Sequence, residues 1–63
     1  MLTDADTERC AEAMIRHHGI GAEVRAVRHA EIALQDGAEA IHSIWMKVAE
    51  RIRELQNREP TKD

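Results

Sequence analysis

The chain has 63 residues, one cysteine and a formal net charge of −3 at pH 7 with neutral histidines. A single cysteine excludes an intramolecular disulfide, no apolar run reaches the ~20 residues of a membrane span, and the negative charge argues against a general binder of nucleic acid or anionic membranes. The opening residues, MLTDADTE, lack the basic and apolar regions of a secretory signal, so we expect a cytoplasmic protein.

The composition favours helices. Phe and Tyr are absent, Pro and Gly are rare, and the period-two alternation of strands does not occur. We predict an all-α fold in one domain, residues 1–57, followed by a disordered tail at 58–63. A monomer this small buries only about 60% of the surface of its unfolded chain, so it needs a staple or a partner.

The first predicted helix covers residues 4–18. Thr3 can cap it, and Asp6 supplies the acid of a capping box. Gly19 is predicted to end the helix in a left-handed conformation, with Ile20 returning to contact Ile15. The inward face consists of Cys10, Ala11, Met14, Ile15 and one of His17 and His18.

The second predicted helix covers residues 22–35, with Gly21 as its N-cap. Its spacing predicts two buried strips. One strip consists of Ile20, Val24, Val27 and Leu34. The other consists of Ala22, Ala26, Ala30 and Ala33. A helix with two buried strips should lie between two neighbours, and Ile32 falls outside both.

The third predicted helix covers residues 38–57. Gly37 should stop helix two, and Asp36 should cap helix three. One apolar stripe follows the helix: Ile41, Ile44, Trp45, Val48, Ala49, Ile52 and Leu55. Short connections make neighbouring helices antiparallel. We therefore predict a small three-helix bundle dominated by an antiparallel hairpin of helices two and three.

Sulfur and imidazole groups raise the question of a metal site. The candidate ligands, which suit copper or zinc, are Cys10, Met14, His17 and His18. Their spacing lacks the tight pairs that announce zinc sites, so packing and helix-end histidines are the favoured interpretation. The Gly-Ile-Gly at 19–21 lacks the preceding strand and third glycine of a dinucleotide fingerprint. We expect no metal and no cofactor.

Catalysis is poorly supported. No serine or cysteine nucleophile lies beside an evident base, and so short a chain has little room for an enclosed pocket. We expect a protein that is not an enzyme.

A nucleic-acid-associated regulator is the second hypothesis. A basic cluster could contact phosphates, or it could be a solvated face: Arg16, Arg25, Arg28 and His29, with His17 and His18 nearby. In a helix–turn–helix protein, helix three would face the DNA. Here its exposed side carries Glu39, Glu50 and Glu54 against Lys47 and Arg51.

The leading hypothesis is a non-enzymatic protein-interaction module, either self-associating or accessory to a larger bacterial protein. Helix one offers little apolar surface to cover the helix-three stripe, and several apolar residues lie off their core faces. The expected interaction residues are Ile32, Ile44, Trp45, Met46, Val48 and Ile52. A two-fold pairing uses the same patch on both copies, so we expect a homodimer.

Several short segments carry a resemblance. They are Arg16-His17-His18-Gly19, Asp36-Gly37, Trp45-Met46-Lys47 and Glu54-Leu55-Gln56. With an alanine-spaced second helix, the chain resembles a group of short uncharacterised alphaproteobacterial proteins, although the turn order is Gly-Asp in that group. The resemblance spans most of the chain. It implies a three-helix fold in a bacterial cytoplasm, and it carries over no activity and no functional residue.

Overall fold

Helices account for nearly all of the part of the chain that the computed structural model describes, residues 3–57. They are α1 (Asp4–His18), a 3₁₀ turn (Gly19–Gly21), α2 (Ala22–Gln35) and α3 (Glu39–Asn57). No strand occurs in this range, which confirms the all-α prediction. The helix bounds differ from the expected ones by one residue, at the start of α3. The tail expected at 58–63 lies outside the described residues.

The first turn of α1 forms the expected capping box. The Thr3 Oγ1 accepts the backbone N–H of Asp6 at 3.2 Å, and the Asp6 carboxylate accepts the backbone N–H of Thr3 at 3.1 Å. Two otherwise unpaired donors are satisfied in this way. The carboxylates of Asp4 and Asp6 also lie at the positive end of the helix dipole.

The end of α1 differs from the expectation. Gly19 has the predicted positive φ of 60°, but its ψ of −128° lies outside the left-handed helical region. Its N–H donates to the carbonyl of Ile15. The expected contact of Ile20 with Ile15 is wrong, because the chain continues directly into the 3₁₀ turn and leaves Ile20 91% exposed.

The histidines at the end of α1 also lie outside the core. Both His17 and His18 are exposed, so the prediction that one of them faces inward is wrong. The buried contact of α1 is centred one to two turns earlier, at Ala11, with Met14 and Ile15 packed beside it. The last turn of α1 therefore extends beyond the part of the helix that packs against the core.

The paired hydrogen bonds of a Schellman stop occur at the end of α2. Gly37 has φ 79°, and its N–H donates to the carbonyl of Leu34 at 3.0 Å. The N–H of Ala38 donates to the carbonyl of Ala33 at 2.8 Å. These are the two bonds that define the motif. Gly37 therefore ends α2, as the sequence predicts.

Asp36 closes α2 and does not cap α3. Its N–H donates to the carbonyl of Ile32 at 3.1 Å. The helix α3 begins later, at Glu39, and the carbonyl of Ala38 accepts the N–H of His42 at 2.9 Å. The expected capping role of Asp36 is wrong, since the Schellman stop takes up the two residues that follow it.

The core is built largely from alanine. The strip of small residues on α2 is buried as predicted, and only Val48 and Ile52 are larger buried side chains. The buried set is Ala11, Ala22, Ala26, Ala30, Ala33, Val48, Ala49 and Ile52. Small side chains let two helix backbones approach closely, so most of the packing joins α2 to α3.

Side-chain contacts fix the directions of the helices. Arg53 near the end of α3 lies 3.2 Å from Glu23 at the start of α2, while His42 near the start of α3 lies 2.9 Å from the carbonyl of Ala30. The two helices are therefore antiparallel. The helix α1 packs mainly on α3 and much less on α2.

The second strip predicted as buried on α2 is mostly exposed. Val24 is 67% exposed and Leu34 is 51% exposed, whereas Val27 is half-buried. The expectation of two buried strips is wrong because α1 lies on α3, so no second neighbour covers this side of α2. Ile41 on α3 is also half-exposed, since it lies in the first turn of α3, next to the connection from α2.

Candidate interaction surface

A row of mainly apolar residues follows the exposed side of α2. We call Val24, Val27, Glu31 and Leu34 the outer face of α2. Successive members are three, four and three residues apart, which places them on one side of a helix. This row adjoins the buried alanine strip, and Val27 packs against the core, while Val24 and Leu34 are at least half-exposed. The outer face is therefore a partly uncovered, largely apolar ridge.

The ridge continues onto α3 through a groove between the two helices. Val27 and Met46 both line this groove, which has a volume of about 320 Å³. Met46 is 41% exposed, as expected for a residue off the core stripe. The rim carries both signs of charge: Glu23, Lys47, Glu50 and Arg53. Because Val27 belongs to both features, the outer face and Met46 form one apolar surface.

Two opposite charges lie on and beside the outer face. Arg28 and Glu31 border a depression of about 260 Å³ together with Val24 and Val27. They are three residues apart on one helix, so they are neighbours on its surface. One cation and one anion therefore lie side by side near the middle of the apolar ridge.

The interaction residues expected from sequence separate into two groups. Ile32 and Met46 are exposed, and Ile44 and Trp45 are half-buried. Val48 and Ile52 are buried inside the chain. The expectation of an open stripe on helix three is thus wrong at these two positions, because Ala11 of α1 and the alanines of α2 pack over them.

The side chain of Trp45 already has a packing partner within the chain. The imidazole of His29 on α2 stacks on its indole, with ring centroids 4.5 Å apart and planes at 22°. On the same side of the hairpin, the ring of His42 pairs through Nδ1 with the carbonyl of Ala30. These contacts hold α2 against α3 and leave Trp45 only partly available to a partner.

The basic cluster expected from sequence forms in part. Arg16, Arg25, Arg28 and His29 are all exposed. Partial desolvation, followed by the positive charges of Arg25, His17 and His29, lowers the pKa of His18. Arg25 and His29 therefore lie near His18, whereas Arg16 and Arg28 do not contribute to this shift. Arg25 and Arg28 also line a depression of about 470 Å³ with Gly21 and Val24.

An ion-pair cluster joins α1 to α3. Arg51 contacts both carboxylate oxygens of Glu8 at 2.9 Å and one oxygen of Glu54 at 3.0 Å. These hydrogen bonds raise the pKa of Arg51. The adjoining groove also carries Asp4 and Lys47. The pairing of Arg51 with Glu8 links α1 to α3, although the buried Nε of Arg51 has no hydrogen-bond partner among the described residues.

Residues 3–57 contain no cluster of side chains suited to bind a metal ion. In that range, no group of three His, Cys, Asp or Glu side chains is placed to hold an ion. Cys10 is half-buried, and the rings of His17 and His18 lie 6.4 Å apart. Among the helices of the same range, none combines the length and apolar composition needed to cross a bilayer.

The outer face of α2 is the feature that sequence reasoning assigned wrongly. The spacing of its members was visible, but spacing alone does not decide which apolar strip of α2 is covered by α3. The alanine content of the other strip indicates a close contact with a neighbouring helix, but no residue of α2 indicates whether α1 covers the remaining strip. Comparison with protein-family models, with curated proteins and with solved structures gave no match for this chain.

Proposed function

We propose that the protein is a small non-enzymatic interaction module, folded as a three-helix bundle, which binds another protein chain through the outer face of α2 and Met46. One observation carries this proposal: more large apolar side chains are exposed than are buried. The exposed ones are Ile20, Val24, Ile32, Leu34, Ile41 and Met46, whereas the core is mainly alanine. Of these, Val24, Leu34 and Met46 lie on or beside the outer face, and a contiguous apolar surface typically marks a protein contact.

The energetics favour a contact of modest strength. Full burial of a large apolar side chain contributes about 1.5–3 kcal/mol, and association costs at least about 4 kcal/mol in lost freedom. Val24, Leu34 and Met46 are only partly exposed, so each contributes a fraction of its full value. These side chains alone therefore roughly offset the cost of association, and the partner's own apolar groups and the flanking charges must supply the about −8 kcal/mol of a micromolar complex.

The test compares two charged substitutions on α2. Leu34→Lys alters the outer face, and Ile32→Lys alters a different side of the same helix at nearly equal exposure. Both variants should keep the helical circular dichroism signal. We expect Leu34→Lys to abolish partner capture by tagged protein expressed in bacterial cells and self-association of the pure protein, whereas Ile32→Lys should leave them unchanged.

The opposite results are equally informative. Wild-type behaviour of Leu34→Lys in both measurements would remove the outer face from the proposal. If Ile32→Lys abolished binding and Leu34→Lys did not, the interface would lie on the side of α2 that carries Ile32.

Binding of nucleic acid is the second candidate, supported by the mutual proximity of Arg25, His17, His18 and His29. This proposal expects affinity for short duplex DNA or single-stranded RNA that falls steeply with salt. Arg16→Ala with Arg25→Ala should then reduce binding, while Leu34→Lys should not. Apolar association through the outer face should instead be reduced by Leu34→Lys and not by the arginine variant. It should also not weaken with salt. Retention on neither nucleic acid at low salt would eliminate this candidate.

We further infer that the module works in a bacterial cytoplasm. This inference relies on the resemblance stated above and on the single cysteine, which suits a reducing compartment.

A further inference from the structure

We propose that the occupant of the outer face is a second copy of this chain, with α2 packed antiparallel against α2 of the partner about a two-fold axis. This inference rests on the proposed function, since it assigns the partner of the same surface. It commits to α2 as the contact helix, whereas the sequence alone pointed to helix three.

The spacing of the outer face is that of a helix–helix seam. The members are three, four and three residues apart, whereas Ile20 lies in the 3₁₀ turn before α2 and is not part of this row. Alternating steps of three and four define the a and d positions of a coiled coil. Three of the four positions are apolar, and Val24 and Leu34 are each at least half-exposed. The remaining position is Glu31.

The position of Glu31 favours an antiparallel arrangement. A parallel, in-register pair would place Glu31 against the partner's Glu31, and like charges at a contact are costly. An antiparallel pair with Val24 opposite the partner's Leu34 instead places Glu31 opposite the partner's Val27. Arg28 of the partner is the next residue along and is long enough to reach the carboxylate.

The two-fold axis makes this charge contact occur twice. Arg28 of each copy meets Glu31 of the other, so each of these two charges faces an opposite charge across the axis. A single polar residue within an apolar seam typically fixes register and orientation at some cost in stability. The charge pattern is thus self-complementary, which is what an interface between identical surfaces requires.

The size of the surface limits the strength of the dimer. Fourteen residues of α2 make a helix about 21 Å long, and the adjoining groove at Met46 adds a flank. This is short for a stable coiled coil. We therefore expect dissociation at low micromolar to high micromolar concentration.

The experiment uses two single charge reversals and their mixture. Arg28→Glu creates two contacts between carboxylates in a homodimer, and Glu31→Arg creates two contacts between guanidinium groups. Each variant alone should dimerise at least about tenfold more weakly than wild type in sedimentation equilibrium. An equimolar mixture of the two should form a heterodimer, because both contacts are then between opposite charges. The double variant Arg28→Glu/Glu31→Arg should dimerise like wild type.

Matched controls keep the test specific. Arg9→Glu and Glu12→Arg make the same charge changes at exposed positions of α1, and both should dimerise like wild type. Circular dichroism of every variant checks the fold, and the double variant shows that the substitutions are tolerated.

Two results would overturn the inference. One is a wild-type chain that stays monomeric up to millimolar concentration. The other is a wild-type dimer whose single variants are not restored by mixing, since the copies would then pair in another way. Neither result removes the proposed function, which fails only if Leu34→Lys also leaves capture of other proteins unchanged.

Discussion

Gly19 and Gly37 are the two residues within 3–57 that have a positive φ, and each ends a helix. A positive φ is costly for residues with a Cβ. Around both glycines there is open space for a Cβ, so only the backbone conformation requires glycine. Gly21, between them in the chain, has φ −82° and also faces open space. Alanine substitutions at these glycines therefore test backbone strain alone, because the added Cβ meets no steric crowding at any of them.

Gly19→Ala should reduce the free energy of unfolding by about 1–2 kcal/mol because an alanine at this φ is strained. Gly21→Ala is the matched control. It should be neutral or stabilising by up to about 1 kcal/mol, since its φ suits alanine and the substitution reduces the entropy of the unfolded chain. Urea denaturation of both variants makes the comparison. Equal effects at both positions would contradict the role given to Gly19.

His18 provides a prediction about pH. Its pKa in the folded chain is lowered by partial desolvation and by Arg25, His17 and His29. The unfolded state therefore takes up the proton first as pH falls, so this residue reduces stability on acidification from near neutral pH through its ordinary pKa. Above that range His18 is neutral in both states and has no effect. His18→Gln should make unfolding less sensitive to pH between about 7.5 and 5.5.

Nuclear magnetic resonance titration measures the cause directly. The pKa of His18 should lie lower in the folded chain than in urea, and Arg25→Ala should move it upward. An unchanged pKa in Arg25→Ala would mean that the arginine does not act on the imidazole.

At the scale of single elements, α2 shows what can be predicted from sequence. Its start at Gly21, its end near Gly37 and its buried alanine strip follow from local chemistry: positive-φ stops and helical spacing. The choice between its two strips depends on where α1 packs, which is a tertiary property. No residue of α2 reports that α1 lies on α3, so the exposed outer face could not be deduced from α2 alone.

The alanine strip should be intolerant of larger side chains. Ala26 is fully buried between α2 and α3, so Ala26→Leu has to push the two helices apart. Overpacking of this kind costs about 1–3 kcal/mol. Ala40→Leu makes the same change at an exposed position of α3 and should alter stability by less than about 0.5 kcal/mol.

Thermal unfolding of the two variants decides the matter. If Ala26→Leu melts at the same temperature as Ala40→Leu, the close contact of α2 with α3 is not a determinant of stability.

At the scale of the molecule, the sequence predicts an all-helical chain with a close α2–α3 hairpin, since every helix start and stop is local. It does not predict which apolar residues form the core. Val48 and Ile52 looked uncovered because helix one is poor in large apolar side chains, yet Ala11 suffices where the helices approach closely. The candidate surface therefore moved from α3 to α2 once the packing was known.

The alanine core has a consequence for the calorimetry of the chain. Unfolding of an average domain raises the heat capacity by about 12–15 cal/mol/K per residue, mainly through hydration of apolar groups that were buried. Here many of the largest apolar groups are already hydrated in the folded chain. Dilute protein should give a smaller increment per residue in scanning calorimetry, and the plot of its free energy of unfolding against temperature should be less curved. If copies pair through α2, a concentrated sample should give a larger heat-capacity increment, because more apolar surface is then buried before the chain unfolds.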